Sequence, residues 1–276
     1  MTCFRCRDFS LPTGKKTLVM GILNITPDSF SDGGKWNNPE AALGHALAMQ
    51  NEGADIIDVG AVSTAPLSAD VDEAAELSRL APVLELLSGR LDIPVSVDTG
   101  NVNVARYALE NGASVINDTS GVFREQTAEL VRAFGAGWII MHTGGKSSDD
   151  VAEYPGGVIG SVRSYFCDCL ERASALGVNG AQLCFDPGIG FGKTREQDIE
   201  ILKNISQLRV PGCSLLTAAS RKRVTALYGG GESPSQRDMP SAVAHAAAIA
   251  QGTDIIRVHS VRDAVYAARM ADAIYR

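Results

Sequence analysis

The chain has no apolar run near the roughly 18 residues that a membrane span requires. Met1 to Lys16 carries charges throughout and lacks a continuous apolar stretch, so no signal peptide is expected. It also lacks a basic tract: the longest are Lys15-Lys16 and Arg221-Lys222-Arg223, against a formal net charge of -7. Nucleic acid and anionic membrane are therefore poor partners, and any bound anion must meet local rather than global cations. Six cysteines in 276 residues are too few for a secreted disulfide framework. Cys184 and Cys213 sit in apolar, strand-like runs as small buried hydrophobes, and Cys3-x-x-Cys6 with Cys167-x-Cys169 has poor spacing for zinc. The expectation is a cytoplasmic protein with free thiols. No Pro/Ser-rich linker or composition break divides the chain, so residues 1–276 are read as a single domain.

What is present is a repeated alternation. Short β-rich runs occur at Leu18–Ile25, Ala54–Val59, Pro94–Val97, Val115–Asn117, Gly137–Met141, Leu183–Phe185, Cys213–Leu216 and Asp254–Val258. Helical spacing fills the intervals: Pro39–Glu52, Val71–Leu87, Val102–Asn111, Thr127–Phe134, Gly160–Leu176, Glu196–Leu208, Ser241–Gln251 and Val261–Tyr275. Strand alternating with helix eight times predicts parallel pairing through right-handed crossovers. A chain of this length then closes as an α/β (β/α)8 TIM barrel, a fold of typically about 250 residues. Residues 1–16 precede the first barrel strand and are expected to form a hairpin, within Arg5 to Lys16, that closes the barrel floor. Gly53, Gly112, Gly177 and Gly252 each follow a helix, as residues in the left-handed conformation do.

Polar residues follow every strand: Asn24, Ser63-Thr64, Asp98, Asn117-Asp118, His142, Asp186, Ser220-Arg221-Lys222 and His259. A buried strand ending in a carboxylate or carboxamide is unfavourable unless that group is paired, and one mouth of such a barrel collects all the strand C-termini. Asp98, Asn117, Asp186 and Lys222 suit a flat, nitrogen-rich heterocycle; Asn24, Arg257, His259 and the backbone near Ser63-Thr64 suit an anion. Gly188-Ile189-Gly190-Phe191-Gly192-Lys193 lacks the Walker spacing, and Thr194 alone is weak evidence for phosphate. Its glycines are read as letting the backbone approach a ligand, with Phe191 as an apolar wall. His45, His245 and Trp138 carry no assigned role.

Met20-Gly-Ile-Leu-Asn-Ile-Thr-Pro-Asp-Ser-Phe-Ser-Asp-Gly-Gly34 resembles the first signature of the dihydropteroate synthases. Val95-Ser-Val-Asp98-Thr, Ile116-Asn117-Asp118, Met141-His142, Asp186-Pro-Gly-Ile-Gly-Phe-Gly-Lys193, Ser220-Arg-Lys222-Arg223 and Arg257-Val-His259 follow in that family's order, from about Phe9 to the C-terminus. The resemblance implies that Asp98, Asn117, Met141, Asp186, Phe191, Lys222 and Arg257 hold a pterin. Asn24, Thr64, Arg257 and His259 would hold its diphosphate, Asn24 through Mg²⁺. Phe30, Thr64, Pro66, Phe191, Lys222 and Arg223 would surround p-aminobenzoate. Asn24, Asp32, Asp98, Lys222, Arg257 and His259 would carry the reaction, Asp32 on a first loop from Thr26 to Trp36 that orders with ligand. A homodimer through the outer helices is also implied.

The second loop departs from the family. Gly60-Ala-Val-Ser-Thr-Ala-Pro-Leu67 stands where Gly-Gly-Glu-Ser-Thr-Arg-Pro-Gly is usual, so Val62 replaces a carboxylate, Ala65 an arginine and Leu67 a glycine. Ala218 stands for a common glycine, and Ser260 for an aspartate. The alternatives are a paralogue that binds the pterin but uses another amine or does not catalyse, a methyltetrahydrofolate-dependent corrinoid methyltransferase, and a non-catalytic pterin-binding protein.

Overall fold

The structure is a computed structural model that describes residues 2–25, 38–62, 72–145, 151–231 and 233–276. Its strands are β1 (Cys3–Cys6), β2 (Phe9–Pro12), β3 (Leu18–Asn24), β4 (Ile56–Gly60), β5 (Val95–Asp98), β6 (Val115–Asp118), β7 (Gly137–Met141), β8 (Leu183–Asp186), β9 (Ser214–Thr217) and β10 (Ile255–Val258). The helices are α1 (Pro39–Glu52), α2 (Glu73–Leu87), α3 (Val102–Glu110), α4 (Glu125–Phe134), α5 (Val158–Ala175), α6 (Arg195–Lys203), α7 (Arg223–Gly229), α8 (Asp238–Ala250) and α9 (Val261–Tyr275). β3 to β10 form a closed parallel barrel, β10 pairing with β3 to complete the ring. No helix among the described residues is long and apolar enough to cross a membrane.

Local chemistry sets the element ends. Asn38 accepts from the backbone N–H groups of Glu40 and Ala41, with Pro39 opening α1; Gly53 closes that helix at φ 104°. Thr194 and Gln197 form a capping box on α6, so Thr194 spends its hydroxyl on a helix start rather than on a ligand. The helical run expected across Glu196–Leu208 divides at Asn204 into α6 and a short 3-10 turn, Ile205–Leu208. Asn204 donates its side-chain N–H to the Glu200 carbonyl, a local bond that competes with helix continuation.

Side-chain alternation along the strands separates two cores. Val19, Leu23, Ile57, Val59, Val97, Ile116, Ile140, Phe185, Leu215 and Ile256 face outward into the helix layer. Leu18, Met20, Ile56, Val115, Ile139, Cys184, Leu216 and Ile255 fill the barrel interior, joined from below by Phe4 and Cys6 of the β1–β2 hairpin. Ala218 belongs to the same interior group. The hairpin thus plugs the floor and leaves the strand C-termini as the open end.

Candidate active site

Counting upward by twos from the interior residues gives the inner side chains of the mouth. Met20 leads past Ile22 to Asn24, Ile56 to Asp58 and Gly60, Ser96 (the buried register partner of Asp58) to Asp98, and Val115 to Asn117. In the same way Ile139 leads to Met141, Cys184 to Asp186, and Ile255 to Arg257 and His259. Asn24, Gly60, Asp98 and Asn117 are register partners in one row across four adjacent strands. Gly60 is the gap in that row. A Cβ there would lie 3.5 Å from Asn24 Oδ1 and 3.7 Å from Asp98 Cβ, so the two polar side chains converge over it.

One charged cluster spans this row. Arg257 Nε donates to Asp58 Oδ2 at 2.7 Å, and Arg257 Nη2 to Asp98 Oδ2 at 2.9 Å. Asn117 Nδ2 donates to the same Asp58 oxygen at 3.0 Å, and Thr119 Oγ1 donates to Asp98 Oδ1 at 3.0 Å. The Asp58 contact fixes the Asn117 amide, because the flipped form would set two oxygens face to face. Its Oδ1 therefore remains an acceptor. Burial pushes the Asp98 carboxyl up to about 7; Arg257 opposes this and the Asp58 charge adds to it. The neighbouring carboxylates in turn hold the Arg257 guanidinium above its usual range despite burial.

A second cluster faces the first. Asp186 Oδ1 accepts from the Gly188 N–H at 2.7 Å, and burial raises this carboxyl while Lys222 opposes the rise. Lys222 Nζ donates to the Ile189 carbonyl at 2.5 Å and lies 4.7 Å from the Phe191 ring centroid. Burial brings the Lys222 ammonium down to about 8, with Asp186 and Asp198 resisting. Met141 is the register partner of Asp186. Beside them, Ser220 Oγ lies 2.9 Å from His259 Nδ1.

A model of the pterin-binding enzyme family matches residues 20–259. The dihydropteroate synthase of Synechocystis sp. is 40% identical over 266 residues, covering 95% of this chain and 92% of that protein. A dihydropteroate synthase structure from Clostridium difficile, determined in the presence of pteroic acid, superposes with a TM-score of 0.89 at 40% identity, covering 96% and 99% of the two chains. One from Xanthomonas albilineans with 4-aminobenzoic acid gives a TM-score of 0.89 at 35% identity, covering 99% and 98%. The chain belongs to the dihydropteroate synthase family.

Within that family frame, Asn24, Asp98, Asn117, Met141, Asp186, Arg257 and His259 share the inward face, and Phe191 and Lys222 contact each other in the loops above it. Arg223 opens α7 and is exposed. Phe30, Asp32, Thr64 and Pro66 lie outside the described residues, as do Ala65 and Leu67 of the divergent second loop. Ser260 Oγ donates to Asp263 at 2.8 Å at the start of α9.

Two strand-end residues do not join the mouth. Asp118 and His142 are one position out of phase with the interior, so they point toward the helices. Asp118 accepts from the Ser120 backbone and hydroxyl, and His142 packs edge-on against Tyr165, with ring centroids 5.3 Å apart. Two glycines of the Gly188–Gly192 segment are also required by loop packing. At φ 66°, Gly188 would place a Cβ 2.0 Å from the His142 carbonyl oxygen; Gly192, at φ 62°, would place one 2.2 Å from the Gly144 backbone. They let two loops close on each other.

Sequence reasoning missed Asp58, Lys193 and Asp198. Lys193 is wholly buried and donates to the carbonyls of His142, Gly188 and Phe191 at 3.2, 3.0 and 2.9 Å. Asp198, from α6, accepts from the Gly190 N–H at 2.8 Å. Together they fix the loop that carries Phe191. The signal for Asp58 was available: it is the one carboxylate inside the apolar run Ile56-Ile57-Asp58-Val59.

Proposed function

We propose that this chain condenses 6-hydroxymethyl-7,8-dihydropterin diphosphate with p-aminobenzoate, giving 7,8-dihydropteroate and diphosphate in folate biosynthesis. The observation that carries the reading is the inward row Asn24–Gly60–Asp98–Asn117, facing Asp186 and Lys222. The relatives named as synthases, and the neighbours solved with pteroic acid and 4-aminobenzoic acid, support it.

On this reading Asp98, Asn117 Oδ1 and Asp186 accept from pterin N–H groups, and Lys222 donates to a ring acceptor. Met141, Phe191 and the Arg257 guanidinium border the ring. Arg257 and His259 grip the diphosphate, with Thr64 beside them. Phe30, Thr64, Pro66, Phe191, Lys222 and Arg223 surround p-aminobenzoate, and Asp32 meets its nitrogen. Asn24 offers a hard carboxamide oxygen at the rim of the mouth, a donor that suits Mg²⁺. That ion commonly takes one or two protein oxygens and completes its shell with substrate phosphates and water. Bound there, Mg²⁺ would neutralise charge on the leaving diphosphate.

The reaction is substitution at the pterin's exocyclic CH₂. The C–O bond breaks with its electron pair leaving on diphosphate. The arylamine nitrogen supplies the pair for the new C–N bond and then releases a proton. The carboxylates of Asp98 and Asp186 stabilise positive charge developing on the pterin, so a dissociative course is expected. The chain's contribution is positioning and charge, without a strong base.

The outer helices support a homodimer as part of the same proposal. Met239 and Val243 on α8, with Tyr266, Met270 and Ile274 on α9, recur at i, i+4 spacing and are 58 to 74% exposed. α8 and α9 pack side by side, which joins these positions into one apolar face.

The decisive assay combines the chain with Mg²⁺, the pterin diphosphate and p-aminobenzoate and follows 7,8-dihydropteroate. Product formation dependent on all three is expected. Tight pterin diphosphate binding with no product would leave only a binding protein, and methyl transfer to an added corrinoid protein would favour the methyltransferase.

A further inference from the structure

We infer that Ser220 locks His259 in the tautomer whose Nε2 carries the hydrogen, so that His259 meets the diphosphate as a neutral donor. The inference rests on the diphosphate role proposed for His259, but its structural half is independent of that role.

The reasoning is a count of hydrogens. Ser220 is 6% exposed and follows β9, while His259 follows the adjacent β10. The Ser220 oxygen takes part in two contacts. It accepts the His259 backbone N–H at 3.2 Å, and it sits 2.9 Å from Nδ1 of the same residue. A hydroxyl has one hydrogen to place and two lone pairs. Among the described residues no other acceptor lies within reach of the Ser220 oxygen. If Nδ1 carried a hydrogen, it would donate to that oxygen, and the hydroxyl hydrogen would be left without a partner in a nearly closed site. The same objection applies to the imidazolium, which also carries a hydrogen on Nδ1. With Ser220 donating to Nδ1, every hydrogen in the pair is placed, and the ring's single N–H falls on Nε2.

The surroundings agree. Burial holds the His259 imidazole well below its usual range. Arg221, Arg257, Lys222 and His245 act in the same direction, and among the described residues no carboxylate reverses them. Nε2 makes no hydrogen bond among the described residues, so it is the atom left for a ligand. An anion at this position then receives a hydrogen bond from His259 and its counter-charge from Arg257. Without Ser220 the imidazole could exchange tautomers and present a lone pair to phosphate oxygens. Ser220 is therefore a positioning residue, acting through His259.

The test begins on the unmodified protein with labelled histidine and ¹⁵N NMR, the His259 signals being identified by their loss in His259→Gln. A pyridine-like Nδ1 and a pyrrole-like Nε2 are expected near neutral pH. A hydrogen on Nδ1, in either the neutral or the charged ring, overturns the inference. Ser220→Ala should then give a mixed tautomer signature and raise KM for the pterin diphosphate about three- to tenfold, leaving KM for p-aminobenzoate unchanged. Ser220→Thr, which keeps the hydroxyl, should restore both. An unchanged tautomer in Ser220→Ala also overturns it. A second comparison needs no change at Ser220: His259→Gln keeps an N–H donor near the Nε2 position and should bind inorganic diphosphate more tightly than His259→Asn, and the opposite order counts against the inference. The tautomer is read without substrate, so a chain with the expected ring signals but no product would retain this inference and lose the proposed synthase activity.

Discussion

Arg257 Nη2 lies 2.9 Å from Asp98 Oδ2, an ion pair joining β10 to β5 across the barrel mouth. Asp58, between them on β4, holds the guanidinium from its other edge at 2.7 Å. The guanidinium plane is therefore set by two carboxylates before any ligand arrives. Breaking one half of such a buried arrangement tests whether that orientation matters.

Asp58→Asn removes a wholly buried charge and keeps the shape. Loss of one partner from a buried ion pair costs about 3–5 kcal/mol, and here the remaining Asp98 contact should hold the loss near the lower figure. Urea denaturation should record it, and kcat/KM for the pterin diphosphate should fall at least tenfold. An unaltered kcat/KM would mean that Arg257 needs no second carboxylate.

The pH dependence follows from two shifted groups. The Asp98 carboxyl is raised to about 7, so below that pH it gains a proton and ceases to accept from pterin N–H groups. The Lys222 ammonium is lowered to about 8, so above that pH it loses the charge and a donor hydrogen. A narrow bell in log kcat/KM is expected, with its acid limb near 7 and its alkaline limb near 8. Lys222→Met should remove the alkaline limb from whatever activity remains. A profile that stays flat from well below the acid limb to well above the alkaline limb would contradict both assignments.

Lys193→Met replaces a buried ammonium by an apolar chain and leaves the carbonyls of His142, Gly188 and Phe191 without their donor. Each unsatisfied buried group costs roughly 1–3 kcal/mol. Calorimetry should show a lower Tm, and KM for the pterin diphosphate should rise as the Phe191 loop loosens. Wild-type Tm in this variant would show that the loop is held by other means.

Metal removal addresses Asn24. Turnover should cease after exhaustive chelation and return with Mg²⁺. Asn24→Ala should need several-fold more Mg²⁺ for half-maximal rate, with affinity for p-aminobenzoate unaffected. Full turnover in chelator would remove Mg²⁺ from the proposed mechanism.

The exposed face of α8 and α9 predicts the assembly. Light scattering should give a dimer for the unmodified chain, and Met270→Glu, on a residue 64% exposed, should give a monomer without loss of helical signal. A wild-type monomer at micromolar concentration would remove the dimer.

The barrel was legible in the sequence because eight β-rich runs and the spacing between them are local features, and α1 and α9 match the expected segments residue for residue. The site was legible where strand-end polarity coincided with inward phase, as at Asn24, Asp98, Asn117 and Asp186. It misled at Asp118 and His142, where strand-end position said nothing about which face the residue occupies. Asp58 was hidden by lying two residues below the rim, and Lys193 because its partners are backbone carbonyls that no side-chain pattern announces. In the Gly188–Gly192 segment the sequence did not show that Gly188 and Gly192 answer to the His142–Gly145 backbone, a contact between segments far apart in sequence.

The most direct measurement is calorimetric titration of the free pterin, without diphosphate, into the unmodified chain and into Asp98→Asn, Asn117→Ala and Asp186→Asn. If these side chains surround one ring, each variant should lose at least tenfold in affinity while the diphosphate itself still binds. Wild-type pterin affinity in any two of the three would show that they do not share a pocket.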